Sequence, residues 1–130
     1  MVPQNTKILL VDDEELVRQL LARILADAGF MVEQADNGAS ALQAARRLDG
    51  SLDLVITDID MPVMSGLELA RALRQTDRRI PFLFITGVDP ALVYEAGFPA
   101  RVLWKPFTPE AFMEAVTQMV TPASGPGRVA

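Results

Sequence analysis

Five short apolar runs, separated by segments with helical periodicity, constrain the fold of this chain more than any other feature. The runs are Ile8–Val11, Met31–Val32, Leu54–Ile56, Phe82–Ile85 and Val102–Trp104. The first, third and fourth are apolar at every position, which is typical of central strands in a parallel sheet that is covered on both faces. The second and fifth adjoin charged residues and are expected at the edges of the sheet.

Helical patterns fill the segments between these runs, so the chain alternates strands with helices. Leu16, Leu20, Ile24 and Ala28 predict one apolar face on the first helix, and Gly29 is placed to end it. Thr108-Pro109-Glu110 predicts the start of the last helix, with Thr108 as its N-cap. The alternation predicts an α/β fold, a doubly wound five-stranded parallel sheet with the flavodoxin-like order 2-1-3-4-5.

Composition excludes several classes of protein and of site. The 130 residues suffice for one domain, expected over residues 1–120, with a flexible tail rich in Pro and Gly over 121–130. The net charge of −5 argues against nucleic acid as a partner. No apolar run is long enough to span a membrane, so a cytoplasmic protein without membrane contact is expected. Because Cys and His are absent, any metal must be a hard cation bound by oxygen.

Polar residues follow four of the predicted strands. Asp12 and Asp13 follow the first, Asp58 the third, Thr86 the fourth and Lys105 the fifth. The carboxyl ends of parallel strands share one edge of a sheet, and ligands bind there. A divalent cation such as Mg²⁺ would relieve the repulsion between the carboxylates, and an aspartate is a competent nucleophile toward phosphorus. This edge is therefore predicted to accept a phosphoryl group.

Four motifs carry a resemblance to a known family. "ILLVDDE", "DLVITDIDMPVMSG", "FLFITG" and "LWKPF" occur in an order and spacing that resembles the receiver domain of bacterial two-component response regulators, over about Lys7 to Val120. The resemblance implies a signalling domain rather than an enzyme. Such a domain is expected to catalyse its own phosphorylation and dephosphorylation. Its phosphoryl donor would be a sensor histidine kinase or a histidine phosphotransfer protein, and its output would be contact with a downstream protein.

The same resemblance assigns roles to individual residues. Asp58 is implied to be the phosphoacceptor, Thr86 the switch hydroxyl and Lys105 the partner of the phosphoryl group, with a cis Lys105–Pro106 peptide bond. The implied ligands of Mg²⁺ are Asp58, Asp13 directly, Asp12 through a water, and the backbone carbonyl of Asp60.

Three further acids close to these residues in the sequence, Glu14, Glu15 and Asp60, have explanations that do not involve the phosphoryl site. Glu14 and Glu15 are explained by the start of the first helix, because acids are favoured at the positive end of the helix dipole. The side chain of Asp60 is either a solvated turn residue before Pro62 or a group that tunes the site. Both interpretations of Asp60 stay open at this stage.

Two positions depart from the family pattern. Val102 stands where the family usually has Tyr or Phe, so a swinging ring is excluded there, and Trp104 is the alternative on the same face of the strand. The helix expected between Asp89 and Gly97, the fourth along the chain, has only about two turns. Receivers with such a short fourth helix resemble those found alone or fused to hybrid kinases.

Other functions are compatible with parts of this pattern. The chain could be a phosphorelay intermediate or a phosphate sink, or a pseudo-receiver that binds its partner constitutively. Asp58-Ile59-Asp60 also has the D-x-D form of a haloacid-dehalogenase-like phosphatase. That family needs further acids after the D-x-D motif, whereas the acid pair of this chain precedes it. We therefore expect a phosphorylated switch first, a relay second and a phosphatase last.

Overall fold

Five parallel strands form a single sheet in the computed structural model, which describes residues 5–48, 50–76, 79–87 and 100–120. The strands are β1 (Lys7–Val11), β2 (Met31–Ala35), β3 (Leu54–Asp58), β4 (Phe82–Thr86) and β5 (Ala100–Trp104). Their order is β2-β1-β3-β4-β5, which confirms the predicted doubly wound topology. The helix expected between Asp89 and Gly97 and the tail over 121–130 lie outside the described residues.

Burial along the strands follows their position in the sheet. Strands β3 and β4 are buried at every residue, and β1 is buried from its second residue onward. Strands β2 and β5 leave several side chains exposed, as predicted for edges. The runs that are apolar at consecutive positions therefore occupy the centre of the sheet, where both faces are covered.

Four helices within the described ranges cover the two faces of the sheet. They are α1 (Glu15–Asp27), α2 (Gly38–Arg47), α3 (Gly66–Arg74) and α4 (Pro109–Val120). Helices α1 and α4 pack with one set of alternate strand residues, including Leu10 and Ile56, while α2 and α3 pack with the other set, including Leu9 and Val55. Within the ranges described, no helix has both the length and the apolar character needed to cross a bilayer.

Helix α1 buries only part of the face that its sequence predicts, since Ile24 and Ala28 pack against the core while Leu16 and Leu20 are exposed. Leu16 and Leu20 are 82% and 58% exposed, while the buried residues are Leu21, Ala22 and Leu25. The prediction of the 16–20 face was wrong because leucines occur on two faces of this helix, so a 3.6-residue period fits either one. Packing against the sheet, which the period does not encode, selects the second face.

The predicted C-terminal end of α1 and the predicted start of α4 are confirmed. Gly29 follows α1 with φ of 101°, and its N–H donates to Ala26 O at 3.0 Å while that of Phe30 donates to Leu25 O at 3.1 Å. These two bonds form a Schellman motif, which favours glycine at the left-handed position. At α4, the Thr108 hydroxyl accepts the N–H of Ala111 at 3.0 Å, so Thr108 caps the helix.

Candidate functional site

The carboxyl ends of four strands bring the predicted polar residues to one edge of the sheet. Asp12 follows β1, Asp58 and Thr86 end β3 and β4, and Lys105 follows β5. The N–H of Lys105 donates to Thr86 O at 2.9 Å, which joins the ends of β4 and β5. Asp12, Asp58 and Thr86 are all buried, at 1%, 2% and 0% exposure. Burial of carboxylates is costly unless they are paired, so their partners decide what this edge can do.

Asp58 is held by two contacts. Lys105 Nζ lies 2.9 Å from Asp58 Oδ2, and the backbone N–H of Asp60 donates to Asp58 Oδ1 at 3.2 Å. Burial raises the pKa of Asp58, and the contact with Lys105 offsets only part of that effect. Burial alone would lower the pKa of Lys105, but the hydrogen bond and charge of Asp58, with the charges of Asp12 and Glu14, raise it. Lys105 is therefore a firmly protonated partner of this carboxylate.

Asp12 is the least satisfied group of the site. Its Oδ1 accepts the N–H of Glu14 at 2.8 Å, whereas its buried Oδ2 has no hydrogen-bond partner among the described residues. Burial raises the pKa of Asp12 to about 6; the Glu14 N–H opposes this change and the charge of Asp58 adds to it. An ionised, buried oxygen without a partner favours a cation at this position.

Three carboxylates lie together at this edge, and one of them is not a predicted site residue. Oxygen atoms of Asp12, Glu14 and Asp58 lie within 4.8 Å of one another. Asp13, the predicted direct ligand, is exposed and does not belong to this cluster, and the side chain of Asp60 is exposed as well. Sequence reasoning missed Glu14 because an acid at a helix start is ordinarily explained by the helix dipole.

The loop after β3 fixes the position of Asp58. A side chain at Gly66 would overlap the backbone carbonyl of Asp58, and the N–H of Gly66 donates to Ile59 O at 3.0 Å. Ser65 then starts α3 with a capping box, since its hydroxyl accepts the N–H of Glu68 while the Glu68 carboxylate accepts that of Ser65. The S-x-x-E spacing is a signal of this helix start that the sequence carries.

Strand β5 contains one position at which the sequence departs from the family pattern, Val102, and leads into a peptide bond that the resemblance implied to be cis. The Lys105–Pro106 peptide bond is cis. Val102 is partly buried and packs against the apolar cluster beneath α2 and α3. Trp104 is about half exposed and pairs in register with Thr86 of β4. Because Val102 has no ring, Trp104 is the aromatic side chain of this strand.

The family of the chain follows from comparison with known proteins. A family model described as the response regulator receiver domain matches residues 8–117. The chain belongs to this family. The resemblance stated from its four motifs is therefore confirmed, and the sheet edge described above is the acidic end of a receiver domain.

Receiver domains similar to this chain occur in proteins of very different length. Response regulator receiver protein CpdR of Brucella abortus (strain 2308) is 38% identical over 120 residues, which are 90% of this chain and 98% of CpdR. The sensor kinase CckA of the same organism is 35% identical over 119 residues, which are 89% of this chain but 13% of the kinase. The chain spans 54% of response regulator MprA of Mycobacterium sp. (strain KMS), at 37% identity.

Solved structures of receiver domains share this fold. The receiver domain of the hybrid histidine kinase CckA superposes with a TM-score of 0.76 at 35% identity, covering 88% of this chain and 98% of that one. A receiver domain protein of Clostridium thermocellum gives a TM-score of 0.81 at 26% identity, covering 88% and 94%.

Proposed function

We propose that this receiver domain accepts a phosphoryl group on Asp58 from a sensor histidine kinase or a histidine phosphotransfer protein. The reaction depends on Mg²⁺, and phosphorylation changes the contacts of the domain with a downstream protein. The observation that carries this proposal is the contact of Lys105 Nζ with Asp58 Oδ2 at 2.9 Å, beside the Oδ2 of Asp12, which has no partner in the described part of the chain. Membership in the receiver family favours signalling over a haloacid-dehalogenase-like phosphatase.

The proposed chemistry uses groups that already surround Asp58. An oxygen of the Asp58 carboxylate forms a bond to phosphorus while the P–N bond of the donor's phosphohistidine breaks, and the imidazole leaves with its electron pair. Lys105 moves from the carboxylate to an oxygen of the new phosphoryl group, a shift that its long side chain allows. The Thr86 hydroxyl donates a hydrogen bond to another phosphoryl oxygen. Each contact stabilises negative charge that develops during transfer.

The donor atoms at the sheet edge fit Mg²⁺. They are carboxylate and carbonyl oxygens, and Asp12 Oδ2 lacks any other partner among the described residues. We propose that Asp12, Asp13 and Asp58 hold the ion, together with the backbone carbonyl of Asp60. Asp13 is exposed, so its side chain is free to turn toward the cluster. When bound, Mg²⁺ offsets the charge of the carboxylates and of the phosphoryl oxygens.

The donor protein has to contact the surface beside the site. Helix α1 starts immediately after the acidic residues, and its exposed Leu16 and Leu20 lie one turn apart on the same face. We propose that these leucines contact the donor. Leu16→Ala together with Leu20→Ala should slow phosphotransfer from a histidine kinase at least tenfold, while labelling by acetyl phosphate, which needs no docking surface, stays unchanged. Equal slowing with both donors would contradict the role.

A phosphorelay intermediate is the second candidate. The similarity to the receiver domain of the hybrid kinase CckA favours it, because a hybrid kinase holds its receiver domain in the same chain. A relay would return the phosphoryl group to a histidine phosphotransfer protein without any change in binding to other proteins. Transfer from the phosphorylated chain to such a protein distinguishes the relay from the switch.

The experiment that tests the proposed function is incubation with acetyl phosphate and Mg²⁺, followed by intact mass measurement. We expect one phosphate per chain in the wild type and in the control variant Asp60→Asn, whose exposed side chain is not the acceptor. Asp58→Asn should carry none, and EDTA should abolish labelling of the wild type. Undiminished labelling of Asp58→Asn would refute the assignment.

A further inference from the structure

Glu14 occupies the N-cap of α1 but does not cap the helix. Its backbone is extended there, with φ of −91° and ψ of 108°, and its side chain accepts no hydrogen bond from the first turn. The cap residues of the other three described helices do so: Asn37 accepts from the N–H of Ser40 at 2.8 Å, Ser65 from that of Glu68 at 3.1 Å and Thr108 from that of Ala111 at 3.0 Å. Glutamate is not among the residues that favour this position. Capping of the helix therefore does not account for the position of the Glu14 side chain.

The Glu14 carboxylate lies at the sheet edge instead. Its Oε1 is 4.0 Å from Lys105 Nζ, and one of its oxygens lies within 4.8 Å of oxygens of Asp12 and Asp58. The turn that begins α1 produces this placement, because the N–H of Glu14 donates to Asp12 Oδ1 at 2.8 Å. Glu14 is thus tied to Asp12 through its backbone and faces the same group of charges with its side chain.

The charges at this edge are unbalanced. Among the described residues, Lys105 is the cation that pairs with carboxylates of the cluster, and its one positive charge does not balance three carboxylates. The Oδ2 of Asp12 independently indicates a missing ligand, because it is buried and no described residue donates to it. A divalent cation has the charge and the preference for oxygen that both observations require.

We propose that Glu14 is a further member of the cation site and that its carboxylate strengthens the binding of the divalent ion. This inference rests on the proposed function, since it concerns the same site. The side chain of Glu14 is 62% exposed, so solvent screens its charge and its effect is smaller than that of a buried ligand. For a charge a few ångströms from a divalent ion under such screening, we expect about a three- to tenfold contribution to affinity.

Glu15 provides a matched control for this effect. It carries the same charge at the next position, but it accepts a hydrogen bond from Gln19 at 3.1 Å on the surface of α1. It does not belong to the carboxylate cluster. Removing its charge changes the net charge of the chain as much as removing that of Glu14, so a difference between the two variants measures placement alone.

The test is isothermal titration of Mg²⁺ into the wild type, Glu14→Gln, Glu15→Gln and Asp12→Asn at pH 7. We expect Glu14→Gln to weaken binding about three- to tenfold and Glu15→Gln less than twofold. Without Mg²⁺, both glutamine variants should unfold at the temperature of the wild type. Asp12→Asn should weaken binding more than either, since it removes a buried ligand.

The outcomes separate this inference from the proposed function. If Asp12→Asn loses Mg²⁺ binding while Glu14→Gln binds like the wild type, the cation site stands and the role of Glu14 is refuted. Equal weakening in Glu14→Gln and Glu15→Gln would also refute it, because only net charge would then matter. A wild type that does not bind Mg²⁺ would refute both.

Discussion

Strands β1 and β3 are buried both in their interiors and at their carboxyl ends. The effect of burial on the stability of the fold differs between the two regions. Ile8 to Val11 and Leu54 to Ile56 are buried among apolar side chains of the flanking helices, where removal from water stabilises the fold. Asp12 and Asp58 are equally buried, yet burial raises the pKa of both carboxylates. Within two residues along each strand, the contribution of burial to stability changes from favourable to unfavourable.

This difference teaches how to separate residues that hold the fold from residues that serve its function. The apolar positions are explained by packing alone. Packing does not explain the carboxylates, because a buried charge that is not fully offset destabilises a protein, and a neutral residue of similar size would make the protein more stable. Acids at such positions indicate a ligand that offsets their charge, in agreement with the proposed cation site.

The largest effect is expected for a substitution in the strand interior. Ile56 is fully buried between α1 and α4, so Ile56→Ala should lower the free energy of unfolding by roughly 2–5 kcal/mol, through lost burial and a cavity. Leu16→Ala is the control: Leu16 is 82% exposed, and its removal should change stability by less than about 0.5 kcal/mol. Urea unfolding measures both, and similar losses would show that the described core is incorrect.

A substitution at the carboxyl end of β1 is expected to raise the free energy of unfolding rather than lower it. Asp12→Asn should raise the free energy of unfolding at pH 7 by on the order of 2 kcal/mol, because it removes a buried charge. Asparagine keeps the oxygen that accepts the N–H of Glu14, so the turn at the start of α1 is retained. Urea unfolding of both proteins across pH 3.5–8 tests this expectation.

The pH dependence of that difference follows from the raised pKa of Asp12. The folded state keeps the proton up to about pH 6, whereas the unfolded chain loses it near 3.8. Wild-type stability therefore falls as pH rises between these values, and Asp12→Asn lacks this contribution. The two proteins should be equally stable at the acidic end and differ most above pH 6. A variant that is less stable than the wild type at every pH would contradict the effect.

The smallest effect compares two helix starts at this edge of the sheet. Ser65→Ala removes one half of a capping box and should cost about 1 kcal/mol. Glu14→Ala removes no cap and should change the stability of the cation-free protein by less than about 0.5 kcal/mol. Thermal unfolding without Mg²⁺ compares the two variants. An equal loss in Glu14→Ala would show that Glu14 supports the helix rather than the site.

Most of the fold could be predicted from the sequence because burial on both faces leaves a direct pattern. Runs such as Phe82–Ile85 have no polar position, which is typical of a central strand in a covered parallel sheet, and their short length favours a strand over a helix. Asp58 and Lys105 could be placed together because the ends of parallel strands share one edge, and the structure brings them to 2.9 Å. The prediction needed the topology but no detail of packing.

The remainder depends on contacts that no local pattern encodes. Leu16 and Leu21 are equivalent in the sequence, and only the position of α1 over the sheet decides that Leu21 is buried. The placement of Glu14 depends on the turn between its own N–H and Asp12, a bond that the sequence permits but does not require. The roles of Asp12, Asp13, Asp58 and the backbone carbonyl of Asp60 as metal ligands stay predictions, as does the role of Asp58 as the phosphoacceptor.

The central claim is that this edge of the sheet binds a cation and that its carboxylates lower the stability of the cation-free protein. Thermal unfolding of the wild type and Asp12→Asn at pH 7 tests it most directly. Each protein is measured without divalent ions and with about 10 mM MgCl₂. Without Mg²⁺, we predict that Asp12→Asn has a higher Tm than the wild type. Mg²⁺ should raise the Tm of the wild type more than that of the variant, so that the gap between the two Tm values narrows or reverses. A wild type that gains nothing from Mg²⁺, or a variant that gains as much, would contradict the account.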